Sequence, residues 1–196
     1  MQRLLCGIRA RRVIDVACGT GRWMLHFQNR GAVVFGVDAS AEMLAQARQR
    51  PELRGHLILA DAQNIPLANE AADLVLCSFA ASYIPDVRKL LREMARITVP
   101  SGRVVISDMH EHAVTVGWSR SFKIGTSVYE IEHFRYSLDA MRSAAEETGL
   151  RLEAEAEAHF EEQERSIFHR AGKQHLYSQL RGIPAIWAGI WVKPCS

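Results

Sequence analysis

The chain has 196 residues, 48% of them hydrophobic, with 24 basic and 22 acidic side chains and a formal net charge of +2. That length suits a single domain with a real core, and the near balance of charge argues for neither a nucleic-acid nor a membrane partner. No apolar run approaches the roughly 20 residues needed to span a bilayer, and the N-terminus lacks a signal-like apolar region. Cys6, Cys18, Cys77 and Cys195 show no C-x-x-C spacing and read as reduced thiols of a cytoplasmic protein, not as a disulfide or zinc framework.

Residues 1–12 place Arg3, Arg9, Arg11 and Arg12 around Leu4, Leu5 and Ile8, the pattern of a short amphipathic helix with a solvated basic face. A nucleic-acid or acidic-substrate arm is the alternative. Residues 13–16 are a short apolar run, long enough for a buried parallel strand. Gly19 and Gly21 break it, and Trp23, Met24 and Phe27 then recur at helical spacing. Strand, glycine turn and helix together aim backbone N–H groups and a helix N-terminus at a ligand. A dinucleotide fingerprint would need glycine at Ala17, Gly19 and Arg22, and Arg22 fails where helix must pack on strand. No Gly-Lys-Ser/Thr follows, which excludes a P-loop. An acid, Asp15, stands in the first strand. A second strand, residues 33–37, ends in Asp38, where a carboxylate can accept both hydroxyls of a ribose. These features point to a nucleoside without a pyrophosphate.

Ser40 is a plausible cap for a helix through residue 49, with Met43 and Leu44 either facing a ligand or lying in the core. Residues 56–60 form a third strand that delivers Asp61 and Ala62, and residues 73–77 form a fourth. The stretch 78–83 beyond it should line a cleft, because ligands bind at the carboxyl ends of parallel strands. Asp86 caps a helix through residue 97 whose apolar stripe is core. After a fifth strand, 103–107, comes Asp108-Met109-His110-Glu111-His112. No further ligand cluster completes a metal site there. His110, leaving a central strand, is placed to act as a general base or substrate hydrogen-bond partner.

Residues 111–136 form a long insertion carrying Trp118, Phe122, Tyr129, His133, Phe134 and Tyr136, with enough aromatic character for a lid. His133 is the second base candidate. Ser137 caps a helix over 138–148 that Gly149 ends. Residues 150–160 alternate apolar and acidic, which predicts an antiparallel edge strand with a solvated acidic face. Residues 161–180 are polar and partly helical, and 185–192 read as the last strand.

In this order the motifs resemble those of class I S-adenosylmethionine-dependent methyltransferases, nearest their small-molecule, quinone-biosynthesis-like branch. Asp15-Val16-Ala17-Cys18-Gly19-Thr20-Gly21 matches the first motif, with alanine in the first glycine position. Phe35-Gly36-Val37-Asp38-Ala39-Ser40-Ala41-Glu42-Met43-Leu44 matches the second strand and the helix after it. Ala60-Asp61-Ala62-Gln63-Asn64-Ile65-Pro66-Leu67 matches the adenine-side loop, and Asp73-Leu74-Val75-Leu76-Cys77-Ser78 the fourth strand. Pro100-Ser101-Gly102-Arg103-Val104-Val105-Ile106-Ser107-Asp108 matches the turn and fifth strand. The resemblance covers about residues 13–109.

It implies an α/β fold in one domain over 1–196: a Rossmann-like, doubly wound, mostly parallel sheet with an antiparallel C-terminal strand. Residues 1–12 would be a short N-terminal segment and 111–136 a substrate lid. Relatives carry further helices ahead of the first motif; here either that cover is absent or the natural start lies upstream. The implied cofactor is S-adenosyl-L-methionine, leaving as S-adenosyl-L-homocysteine. The resemblance assigns it the loop residues Asp15, Ala17, Gly19, Thr20 and Gly21, and Asp38, Ala39 and Met43. It adds Asp61, Ala62 and Gln63, then Ser78 and Phe79. Tyr83, His110, Trp118, His133 and Tyr136 fall to a small-molecule acceptor, with His110 or His133 as catalytic base and no metal. The absence of an Asn-Pro-Pro-Tyr-like stretch after the fourth strand favours oxygen or carbon methylation. A nucleic-acid methyltransferase and a non-catalytic cofactor-binding module are the alternatives. Oligomeric state is not legible.

Overall fold

The computed structural model describes residues 5, 7–116, 118, 121–131 and 133–195, without the side chains of Phe122 and Lys123. The basic residue Arg3, the apolar Leu4 and the thiol of Cys6 lie outside the described residues. β1 (Arg12–Val16) is buried from Val13 onward, as a strand covered on both faces must be. α1 (Arg22–Gln28) follows and buries Trp23, Met24 and Phe27. β2 (Val33–Asp38) leads to α2 (Ala41–Ala47), whose Ser40 cap accepts the Met43 N–H at 3.1 Å. β3 (Leu57–Leu59) is short, and β4 (Ala72–Ser78) is central and buried. α3 (Val87–Ile97) is capped by Asp86, which accepts from the Lys89 N–H at 3.0 Å.

β5 (Thr98–Met109) starts earlier than the sequence pattern indicates, because the chain stays extended through residues 98–102. Thr98 pairs with Ala72, and the register then shifts before Leu74 meets Arg103. The insertion is not a featureless loop. It contains α4 (Glu111–Thr115) and a hairpin of β6 (Ser121–Ile124) with β7 (Ser127–Glu130). α5 (Leu138–Glu146) is capped by Ser137. β8 (Arg151–His159), α6 (Arg165–Arg170), α7 (Gln174–Leu180) and β9 (Pro184–Val192) complete the chain.

The main sheet runs β3-β2-β1-β4-β5-β9-β8. β1 to β5 pair in parallel, and β9 runs antiparallel to both β5 and β8. This is the doubly wound sheet expected from the motifs, with its antiparallel C-terminal strand. One apolar cluster packs α3 and α5 against the sheet and a second packs α1 and α2 against the other face. At Gly36 of β2 a Cβ would run into Met24 Sδ and Cys18 Sγ, so helix and strand meet only because that residue is glycine. A third, small cluster gathers Phe160, Phe168, Tyr177 and Leu180 around α6 and α7.

The acidic face of β8 is not simply solvated. Glu153 accepts from Arg103 Nε at 2.6 Å, and Glu155 from Arg142 Nε at 2.9 Å, because neighbouring elements bring guanidinium groups alongside. Arg12 of the basic segment is likewise paired, with Asp73 at 2.9 Å.

Candidate functional site

The strands of the parallel half deliver their carboxyl ends to one edge of the sheet. After β1 the chain turns sharply, with Ala17 at φ +55° and Gly21 at φ +79°. The Gly21 N–H bonds back to the Cys18 carbonyl at 2.9 Å. A Cβ on Gly21 would strike the Leu53 side chain, so the turn needs glycine for space as well as for backbone angle. Asp38 ties this loop to the end of β2. Its Oδ2 accepts the Gly19 N–H at 2.7 Å and its Oδ1 the Ser40 N–H at 2.9 Å. Each carboxylate oxygen retains a lone pair for a ligand. Arg50, which sequence reasoning missed, donates from Nη1 to the Thr20 carbonyl at 2.9 Å and holds the loop from outside.

A cavity of about 630 Å³ opens beyond these strand ends. Ala17, Gly19, Asp38, Ala39 and Met43 line one side, and Asp61, Ala62 and Gln63 another. Ser78 and Phe79 close the end nearest β4. Asp15, Thr20 and Gly21 shape the loop from behind and do not line it. Asp61 accepts from the Gln63 N–H at 2.9 Å and from Gln63 Nε2, so it stiffens its own loop while facing the cavity. Ser78 Oγ accepts from Trp23 Nε1 at 3.0 Å and lies 3.1 Å from Ser107 Oγ, which fixes the end of β4 against β5 and α1.

Asp15 is buried, and its Oδ2 has no hydrogen-bond partner. Burial first, then the nearby charge of Asp38, pushes its carboxyl up to about 8. The charge of Arg22 and the Met24 backbone N–H offset only part of that rise.

A second cavity, of about 280 Å³, lies on the other side of the turn that follows β4. Met109, Met141, Tyr136 and Trp187 give it apolar walls, and Ser82, Asp108 and His133 supply polar groups. The turn is clamped from two sides. The Ser82 N–H donates to Asp108 Oδ2 at 2.8 Å, and the Phe134 N–H donates to the Ser82 carbonyl at 2.7 Å. The Tyr136 hydroxyl reaches the Ile84 and Pro85 carbonyls at 2.8 and 2.9 Å. The segment 133–137 is thus strapped across residues 82–85.

His133 Nδ1 sits 3.1 Å from the Ile131 carbonyl oxygen. A carbonyl can only accept, so Nδ1 carries a proton in this contact, and in the neutral form Nε2 is the nitrogen with the lone pair. Nε2 is buried and unpartnered, as is Ser82 Oγ.

His110 does not join this cavity. It is buried, its Nδ1 accepts the His112 N–H at 3.1 Å as the cap of α4, and its Nε2 faces Glu157 at 3.4 Å. The turn from β5 into α4 engages Nδ1 and β8 faces Nε2, so the strand-end position does not aim the ring at the cleft. Trp118 also lies elsewhere, edge-on to Phe160 with ring centroids 4.8 Å apart, because the third cluster offers it apolar cover. Tyr83 faces the larger cavity instead of the smaller. Met141 and Trp187 were not legible as cavity residues: each lies in an apolar pattern whose direction only packing decides. Among the described residues no group of three His, Cys, Asp or Glu is placed to hold a metal ion, and no helix is long and apolar enough to cross a membrane.

A family model described as a methyltransferase domain matches residues 14–106. The malonyl-[acyl-carrier protein] O-methyltransferase of Salmonella typhimurium is 36% identical over 106 residues, 54% of this chain and 42% of that protein. The demethylmenaquinone methyltransferase of Thermus thermophilus is 38% identical over 101 residues, 49% of this chain and 46% of that protein. The chain thus spans less than half the length of these curated relatives. A solved S-adenosylmethionine-dependent methyltransferase from Mesorhizobium loti superposes with a TM-score of 0.71 at 21% identity, covering 97% of this chain and 96% of that one. Residues 14–106 thus resemble a methyltransferase domain, and the fold is that of the solved S-adenosylmethionine-dependent methyltransferase.

Proposed function

We propose that the chain transfers a methyl group from S-adenosyl-L-methionine to the oxygen or carbon of a small-molecule acceptor. The observation that carries this reading is the larger cavity, where Asp38, locked by two backbone N–H groups, faces Asp61 and Ala62 at the end of the glycine turn. Its shape and donors fit a nucleoside: a carboxylate for the ribose hydroxyls, then a carboxylate and a backbone N–H for the base. The relatives support the reading, one named for O-methylation and one for a quinone.

The cofactor would supply an electrophilic methyl on a sulfonium and leave as a neutral thioether. Asp38 would hold the ribose, Asp61 and Ala62 the adenine, and the loop from Ala17 to Gly21 the amino-acid end. Asp15 would ionise as an ammonium settles over the loop, which exchanges its buried proton for a nearby positive charge. Met43 would cover the base from α2, and Ser78 and Phe79 would border the methyl. His133 Nε2 would take the acceptor's proton as the new bond forms. The protein's remaining task is to orient the pair and exclude water. The segment 111–136 would act as the lid of a single domain, since its C-terminal end already straps the turn at residues 82–85. The near balance of charge and the pairing of Arg12 with Asp73 support a small-molecule acceptor over nucleic acid. Free Cys18, Cys77 and Cys195 suit a reducing, cytoplasmic setting.

Calorimetric titration with S-adenosylmethionine and then S-adenosylhomocysteine tests the reading. Micromolar binding of both is expected; a folded protein that binds neither would refute it.

A further inference from the structure

At the opposite end of the sheet, ahead of β1, the basic N-terminal segment has no part in the proposed methyl transfer. An open groove of about 780 Å³ runs there between residues 5–11 and the end of α1. It shares no lining residue with either cavity described above. We infer that this groove binds a small phosphorylated molecule, with two linked phosphates, through the guanidinium groups of Arg9, Arg11 and Arg30 together with His26.

Charge is the first support. Among the described residues that line the groove none is Asp or Glu. Asp73, the acid that meets this segment, is already occupied. Its Oδ2 accepts the Arg11 and Arg12 N–H groups at 3.1 and 2.9 Å, and its Oδ1 accepts from Arg12 Nη2 at 2.9 Å. Arg9, Arg11 and Arg30 are exposed and have no carboxylate partner among the described residues. Guanidinium groups gathered without a counter-charge raise the local potential, and each can hold phosphate oxygens in pairs. Arg12, the next cation along the chain, is turned to Asp73. The basic surface therefore does not extend into a track for a polymer backbone, which favours a small molecule.

Placement is the second support. Arg30 Nη1 donates to the His26 carbonyl at 2.9 Å and lies 3.2 Å from His26 Nδ1. A guanidinium can only donate, so Nδ1 accepts and the neutral ring carries its proton on Nε2. Desolvation and then the charge of Arg30 hold His26 below its ordinary pKa, which keeps that neutral form. The ring thus has a donor to offer. The carboxyl end of a helix repels anions, but the last carbonyls of α1 are already bonded. Leu25 O accepts the Asn29 N–H at 3.0 Å, and Phe27 O accepts the Arg30 N–H at 2.9 Å.

Shape is the third. Leu5, Ile8, Phe27 and Ala32 give the groove an apolar floor. That floor suits the organic body of a phosphate ester, and the volume falls within the roughly 300–1,000 Å³ of small-molecule sites.

The test titrates pyrophosphate, orthophosphate and phenyl phosphate into the full chain by calorimetry, with and without S-adenosylhomocysteine. Pyrophosphate should bind about tenfold more tightly than orthophosphate, because it reaches two guanidinium groups at once. Phenyl phosphate should also exceed orthophosphate, because its ring gains the apolar floor. Arg9→Gln, Arg11→Gln and Arg30→Gln should each weaken pyrophosphate binding about tenfold. Arg170→Gln, which removes an exposed cation of α6 outside the groove, should leave it unchanged. S-adenosylhomocysteine should not displace the anion. No binding of pyrophosphate, an equal loss in Arg170→Gln, or displacement by S-adenosylhomocysteine would overturn the assignment. So would arginine-dependent binding to vesicles of phosphatidylcholine and phosphatidylserine, or to an RNA oligonucleotide, that is tighter than to pyrophosphate, since the phosphates would then belong to a lipid or a nucleic acid.

Discussion

The two cavities are built in opposite ways. The larger one is assembled from consecutive strand ends, with residues 17–19, 38–43, 60–63 and 78–80 arriving in chain order at one edge of a parallel sheet. The smaller one collects Ser82, the end of β5, α4, the strap at residues 133–137, α5 and Trp187 of the antiparallel strand. Local motifs make the first, and long-range packing makes the second. A site of the first kind has its chemistry spelled in contiguous stretches; in the second, a residue's role depends on partners far along the chain.

This contrast can be broken by substitution. The largest expected effect is at His133. His133→Gln should cut turnover by about 10²–10⁴-fold, the range for loss of a general base, and leave cofactor affinity within error. A matching loss of cofactor binding would join the two cavities functionally and collapse the distinction. Next, Asp38→Ala should weaken S-adenosylmethionine binding by roughly 1.5–3 kcal/mol, as for a hydrogen bond to a charged group. Its fold should persist by circular dichroism; unchanged affinity would remove the ribose role.

Asp15 sharpens the first region through pH. Its folded pKa, about 8, lies above the ordinary 3.8. Between those values the unfolded chain has lost the proton that the folded chain retains, so stability from this group falls as pH rises from about 4 to about 8. Asp15→Asn should flatten that slope, which for a single such group is at most about 1.4 kcal/mol per pH unit, and so make the ligand-free protein more stable at pH 8 with little change near pH 4. Thermal unfolding at the two pH values reads it out; identical slopes for wild type and variant would show that Asp15 is not the protonated group.

The smallest effect is at His110. As a cap of the five-residue α4, it should cost about 0.5–2 kcal/mol on replacement by alanine, with turnover falling no more than cofactor affinity and stability account for. A selective loss of turnover would return His110 to the chemistry and show that α4 turns to expose it.

The larger cavity was legible because its signals are short in range. Glycines at Gly19 and Gly21 and acids at Asp38 and Asp61 sit at fixed distances from apolar runs, and a parallel strand has one place to put its carboxyl end. The smaller cavity was half legible. The aromatic insertion marks His133 and Tyr136 for the acceptor and marks Trp118 alike, while the strand end marks His110; the last two lie elsewhere. Nothing local separates these residues. His110 is captured by the amide of His112 and by Glu157 from β8, and Trp118 by Phe160.

The sequence by itself determined the succession of parallel strands along the chain, the glycine turn and the acids at the strand ends, because periodicity and turn chemistry act over a few residues. Only the tertiary structure decided which histidine keeps a bare nitrogen. That choice depends on a carbonyl two residues away being free to accept, and on a strap seated against a turn some fifty residues earlier in the chain.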